Sequence, residues 1–164
     1  MKKNKLLEAG TEIPDFTLRI GNGNGDDHKD NFMTLSDHRG QNVILAFYPA
    51  DWSAVCGNQM MLYNELIPMF ENYNAVIYGI SVDGTHCHAA FKEHNNMTIP
   101  LLCDFEPKGE ISKLLGVYNH EKGFCERALF VIDKNGIIQW SHVSPMDVNP
   151  GAKEILETLK NIEK

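Results

Sequence analysis

The chain has 164 residues, 43% of them hydrophobic and 23% charged, which excludes the disordered and membrane-spanning classes and fits an ordinary globular protein with one core. Residues 1–164 are therefore read as a single domain. A formal charge of −7 excludes broad electrostatic attraction to nucleic acid or to anionic membrane, since both need clustered positive charge.

The first residues, Met1-Lys2-Lys3-Asn4-Lys5, are basic like the start of a signal peptide, but Glu8 follows Leu6 and Leu7 too soon for an apolar segment. No export signal is expected. Phe16 to Ile20 alternates like a short strand, and the Gly/Asn/Asp-rich stretch from Asn22 to Asp30 leads to Phe32-Met33-Thr34-Leu35, which together predict an N-terminal β-hairpin. The aspartates of that turn lack the bidentate glutamate of a calcium loop, so a solvated tip is expected.

Val43 to Tyr48 is apolar on both faces and predicts a central strand covered by helices. From Gly57 to Tyr73 apolar residues recur at three and four, predicting a helix with a kink at Pro68. Ala75 to Val82 is a second buried strand, parallel to the first because a helix connects them. Asp83 and Thr85 offer N-caps for a helix reaching His94. A short strand at 99–102, a helix at 108–115, and strands at 128–132 and 137–142 follow, the last two joined by the hairpin signal Asp133-Lys134-Asn135-Gly136. A closing helix runs from Gly151 to Ile162. Strands alternating with helices, then a hairpin and a final helix, predict an α/β thioredoxin-like fold: a mixed central sheet with helices on both faces.

The chemistry centres on Cys56. It stands between the strand at 43–48 and the following helix, where the free N–H groups and positive dipole end of a helix favour negative sulfur, provided the thiol stays reachable. The four cysteines, at positions 56, 87, 103 and 125, are unevenly spaced and read as cytoplasmic thiols rather than a disulfide framework.

Pro49, Ser53 and Cys56 stand in the Pro-x-x-x-Thr/Ser-x-x-Cys pattern of the peroxiredoxins, and Phe47 to Cys56 resembles their active-site loop. Gly10 to Phe16, Gly79 to Asp83 and Glu126 to Asp133 also resemble peroxiredoxin blocks in the expected order, so the resemblance spans about residues 7 to 145. It implies a thiol-dependent peroxidase that reduces hydrogen peroxide and organic hydroperoxides, with Cys56 the peroxidatic nucleophile cycling through sulfenic acid. Ser53 then supplies the hydroxyl that binds the substrate oxygen, and Pro49 shields the sulfur without adding a buried donor. Arg127 resembles the family's active-site arginine, a permanent cation, and Gln59 the residue that orients it. No cofactor or metal is implied, the reductant expected is thioredoxin or a similar thiol protein, and a homodimer is expected with Trp52 near its contact.

The residue that resolves the sulfenic acid stays open. No cysteine follows Cys125, and Met61 stands where some relatives carry a second cysteine, so Cys87, Cys125 or an external thiol is left, with Cys103 read as a packing residue. Cys125, two residues before Arg127, is placed on the same strand face. Two alternatives are weighed. A thiol–disulfide oxidoreductase is disfavoured because Gln59 replaces the second cysteine of a Cys-x-x-Cys pair, and a metal-binding or structural module on His86-Cys87-His88, with His94 or Cys103, because neighbouring residues of a helix diverge.

Overall fold

The computed structural model describes residues 5–163, so the opening residues 1–4, included in the reading of the export signal, lie outside the described residues. The strands are β1 (Thr17–Ile20), β2 (Phe32–Thr34), β3 (Asn42–Phe47), β4 (Ala75–Ser81), β5 (Leu101–Cys103), β6 (Tyr118–Asn119), β7 (Phe124–Cys125), β8 (Arg127–Ile132) and β9 (Ile138–Ser144). The helices are α1 (Ala54–Glu71), α2 (Thr85–His94), α3 (Glu110–Leu114) and α4 (Lys153–Ile162).

Seven strands form one sheet in the order β2-β1-β5-β4-β3-β8-β9. The pairs β3–β4 and β4–β5 are parallel, while β1–β2, β1–β5, β3–β8 and β8–β9 are antiparallel. This is the mixed thioredoxin-like sheet with its N-terminal hairpin that the sequence predicts. Every residue of β3 and of β8 is buried, as their unbroken apolar runs require of strands covered on both faces. One core cluster, containing Leu45, Phe47, Phe130 and the α3 residue Ile111, lies on one face; the other, containing Ile44, Ala46, Met60, Phe91 and Ile155, lies under α1, α2 and α4.

Several boundaries differ from the sequence reading. Helix α1 begins three residues before Gly57, because the Ser53 side chain accepts the Cys56 N–H and caps it, and it continues through Pro68 to Glu71. Helix α2 is capped by neither expected side chain: Gly84 holds the cap position and Thr85 is already helical. The Thr85 hydroxyl instead donates to the Ile20 carbonyl and accepts from the Gly23 N–H, tying the helix to the hairpin. The small hairpin β6–β7 was not foreseen, since strands of two residues leave no periodicity to read.

Candidate active site

Strand β3 runs into a buried Pro49 and the turn that Ser53 closes, which sets Cys56 in the first turn of α1. Strand β8 is antiparallel to β3 with Phe47 opposite Ala128, so its first residue, Arg127, arrives at the edge where β3 ends. Along β8, Leu129 and Val131 belong to the cluster under α1, and the two-residue period sends Arg127 to that same face. The distant pairing in sequence is thus made by strand direction alone.

Arg127 is 1% exposed, and its guanidinium makes four hydrogen bonds among the described residues. Its Nη2 donates to Cys56 Sγ at 3.4 Å and to the Met146 carbonyl at 2.6 Å. Its Nη1 donates to Gln59 Oε1 at 2.7 Å and its Nε to the Met146 carbonyl at 3.2 Å. Gln59 passes the restraint on: its Nε2 donates to the Tyr63 hydroxyl at 3.2 Å, which donates to the Gly151 carbonyl at 2.9 Å. Burial pushes the Tyr63 phenol up to about 12, so it stays a neutral donor.

Among the described residues Arg127 pairs with no carboxylate, so a permanent buried cation faces only neutral acceptors and one sulfur. Burying such a charge costs free energy unless polar groups surround it. Cys56 itself is 0% exposed, whereas a reachable thiol was expected: the chain packs it into the α1-side core. Ser53 is exposed beside it, and because its Oγ accepts the Cys56 N–H at 3.3 Å, its own proton remains free to donate outward.

The structure brings Pro49, Ser53, Cys56, Gln59 and Arg127 to one end of the sheet. Cys125 reaches the same end but on the opposite face of the sheet: it packs in the other cluster and donates to the Tyr48 carbonyl at 2.8 Å. The expected shared face fails because Cys125 closes the β6–β7 hairpin rather than extending β8. Burial pushes its thiol far up. Cys87 lies on α2 and turns toward Asp83 Oδ1 at 3.9 Å, and burial together with Asp51 and Asp83 pushes it up to about 11. All four cysteines are free. His86 and His88 diverge from Cys87 as expected, His86 being exposed and His88 buried with Nδ1 2.7 Å from Asp51 Oδ2.

Sequence reasoning missed two supports of the arginine. Tyr63 falls within the apolar recurrence read from Gly57 to Tyr73, although its place four residues after Gln59 on one helix face was a readable signal. The Met146 carbonyl carries none, being backbone. Trp52, 53% exposed, takes a left-handed backbone with φ of 72° and stands edge-on to Phe91 at 5.4 Å.

A thioredoxin-like sheet that presents one reduced thiol to a buried guanidinium defines a thiol-based redox enzyme. The chain belongs to the AhpC/TSA family, whose sequence profile matches residues 9–141, and is a peroxiredoxin, a thiol-dependent peroxidase. It is 34% identical over 139 residues to alkyl hydroperoxide reductase E of Mycobacterium tuberculosis, covering 84% of this chain and 86% of that protein. It is also 34% identical over 161 residues to peroxiredoxin-1 of Gallus gallus, covering 94% of this chain and 77% of that one. Among solved structures, reduced Plasmodium vivax 2-Cys peroxiredoxin superposes with a TM-score of 0.84 at 28% identity, covering 96% of this chain and 82% of that chain. Mycobacterium tuberculosis AhpC superposes with a TM-score of 0.83 at 26% identity, covering 98% and 95%.

Proposed function

We propose that Cys56 is the peroxidatic nucleophile and that Arg127 is its cation. The observation that carries this is the 3.4 Å contact from Arg127 Nη2 to Cys56 Sγ, made by a buried guanidinium with no carboxylate partner among the described residues. Negative Cys56 sulfur attacks the terminal oxygen of a hydroperoxide; the S–O bond forms, the O–O bond breaks, and the leaving alkoxide or hydroxide takes a proton. Arg127 stabilises the charge that moves onto that oxygen, and the Ser53 hydroxyl donates to the peroxide. Gln59 and Tyr63 position the guanidinium. Pro49 excludes water at the end of β3. Hydrogen peroxide and alkyl hydroperoxides are the substrate class, the latter supported by the likeness to alkyl hydroperoxide reductase E.

The sulfenic acid is resolved by an external thiol, thioredoxin or a similar protein, which forms a mixed disulfide with Cys56 and releases water. This is supported by the place of Cys125 on the far face and by the high-lying Cys87 thiol, a poor nucleophile near neutral pH. Mass spectrometry after one equivalent of peroxide without reductant tests it: a lasting sulfenic or sulfinic Cys56 is expected, and an intramolecular disulfide to Cys87 or Cys125 refutes the external route. A homodimer using the exposed Trp52 and Phe105 is consistent with their 53% and 57% exposure, and four free thiols suit the reducing cytoplasm. Among the described residues no helix is long and apolar enough to cross a membrane.

A further inference from the structure

A cluster of metal-ligating groups, apart from Cys56, lies beneath the first turn of α2. Asp51 comes from the loop after β3, Asp83 from the turn after β4, and Cys87 from α2 itself. One donor atom from each lies within 4.8 Å of the other two. The carboxylates are already oriented. The Tyr48 hydroxyl donates to Asp51 Oδ1 at 2.6 Å, and His88 Nδ1 faces Asp51 Oδ2 at 2.7 Å. Asp83 Oδ2 accepts the Asp51 N–H at 2.8 Å and the Ser81 hydroxyl at 2.6 Å, which leaves Oδ1 turned to the Cys87 thiol. A carboxylate has about four acceptor positions, so these bonds leave capacity for another ligand on each.

An independent observation points into the same space. Cys103, 6% exposed, pairs in register with Ser81, and the two-residue alternation of β5 puts it with Leu101 on the face that α2 covers. Its thiol makes no hydrogen bond among the described residues. Cys87 and Cys103 both line a cleft of about 570 Å³, which gives a small cation a route from solvent.

We propose that Asp51, Asp83 and Cys87 form a binding site for a zinc-class divalent cation, its fourth position open on the side where Cys87 borders the cleft. A mixed sulfur and oxygen set of three or four donors suits tetrahedral zinc, whereas calcium and magnesium need more oxygens and no thiol. Zinc–donor lengths of about 2.0 to 2.3 Å put tetrahedral donors roughly 3.3 to 3.8 Å apart, close to the present sulfur–oxygen spacing and within about 1 Å of the widest separation. Binding displaces the Cys87 proton, so the affinity rises with pH. It also ties the Pro49–Ser53 loop to α2 and withdraws Cys87 from thiol chemistry.

The site is separate from Cys56, and the test keeps them apart. The full-length chain, stripped with a chelator, is titrated with cadmium and then with competing zinc. One saturable equivalent with a thiolate-to-cadmium charge-transfer band is expected, retained in Cys56→Ser, absent in Cys87→Ser and weakened more than about tenfold in Asp83→Asn. In the unsubstituted chain, zinc is expected to protect Cys87, and not Cys56, from alkylation read by mass spectrometry, a measurement independent of any variant's folding. No saturable equivalent, a band that survives Cys87→Ser, a band lost in Cys56→Ser, or unprotected Cys87 overturns the proposal.

Discussion

Arg127 places its donors on one sulfur, one side-chain amide and one backbone carbonyl, a distribution that predicts a specific need for arginine at this position. Lysine keeps the charge but has no rigid fork to reach Gln59, Met146 and Cys56 together. Peroxide consumption with excess thiol reductant is expected to fall about 100- to 1,000-fold in Arg127→Ala, with Arg127→Lys also impaired, and equal rates for wild type and Arg127→Lys would show that geometry is not used. Cys56→Ser is expected to lose the activity while keeping the far-ultraviolet circular dichroism, because only nucleophilicity is removed. The burial of Cys56 adds a steric expectation: a bulky aromatic disulfide reagent labels it more slowly in the folded chain than in denaturant, and equal labelling rates would argue against a sealed sulfur.

Helix α1 depends on Ser53 twice, once as its cap and once as the exposed hydroxyl next to Cys56. Ser53→Ala is therefore expected to lower unfolding stability by about 1 kcal/mol and to slow peroxide attack, whereas Ser53→Thr retains both functions. Denaturant melts and initial rates on the two variants check this together. The sequence announces this element clearly: a small hydroxyl residue before a periodic apolar stretch is a start signal, and the resemblance of residues 47–56 singles out the same serine. Other ends were less legible. The cap of α2 was misread because Asp83 and Thr85 bond backbone groups of distant segments instead of the first-turn N–H groups of their own helix, and β7 was missed because its neighbour β6 is equally short.

The sheet divides the molecule into two cores and sorts the thiols between them, Cys56 on one side and Cys125 on the other. Its stability is expected to fall at alkaline pH. Cys87 and Cys103 are pushed up to about 11 and about 12, mainly by burial, from an ordinary thiol range near 8.5, so the fold favours their neutral forms. The stability this contributes is complete below the unfolded value and is lost as pH rises toward the folded values. Urea melts between about pH 8 and pH 11 are expected to show this decline, with a shallower slope in Cys103→Ala; an unchanged slope would assign it to other groups.

By itself the sequence determined the order of the elements, the parallel crossover from β3 to β4, the placement of Cys56 at a helix start, and the likeness that drew Pro49, Ser53, Gln59 and Arg127 into one site. These are local patterns, written in periodicity, turn residues and short motifs. Only the tertiary structure decided that Arg127 is held by Tyr63 through Gln59 and by the Met146 carbonyl, that Cys125 faces away, and that Asp51, Asp83 and Cys87 meet. Each of those depends on strand register and helix packing across long separations in the chain, where a single-residue slip would turn the side chain to the other face.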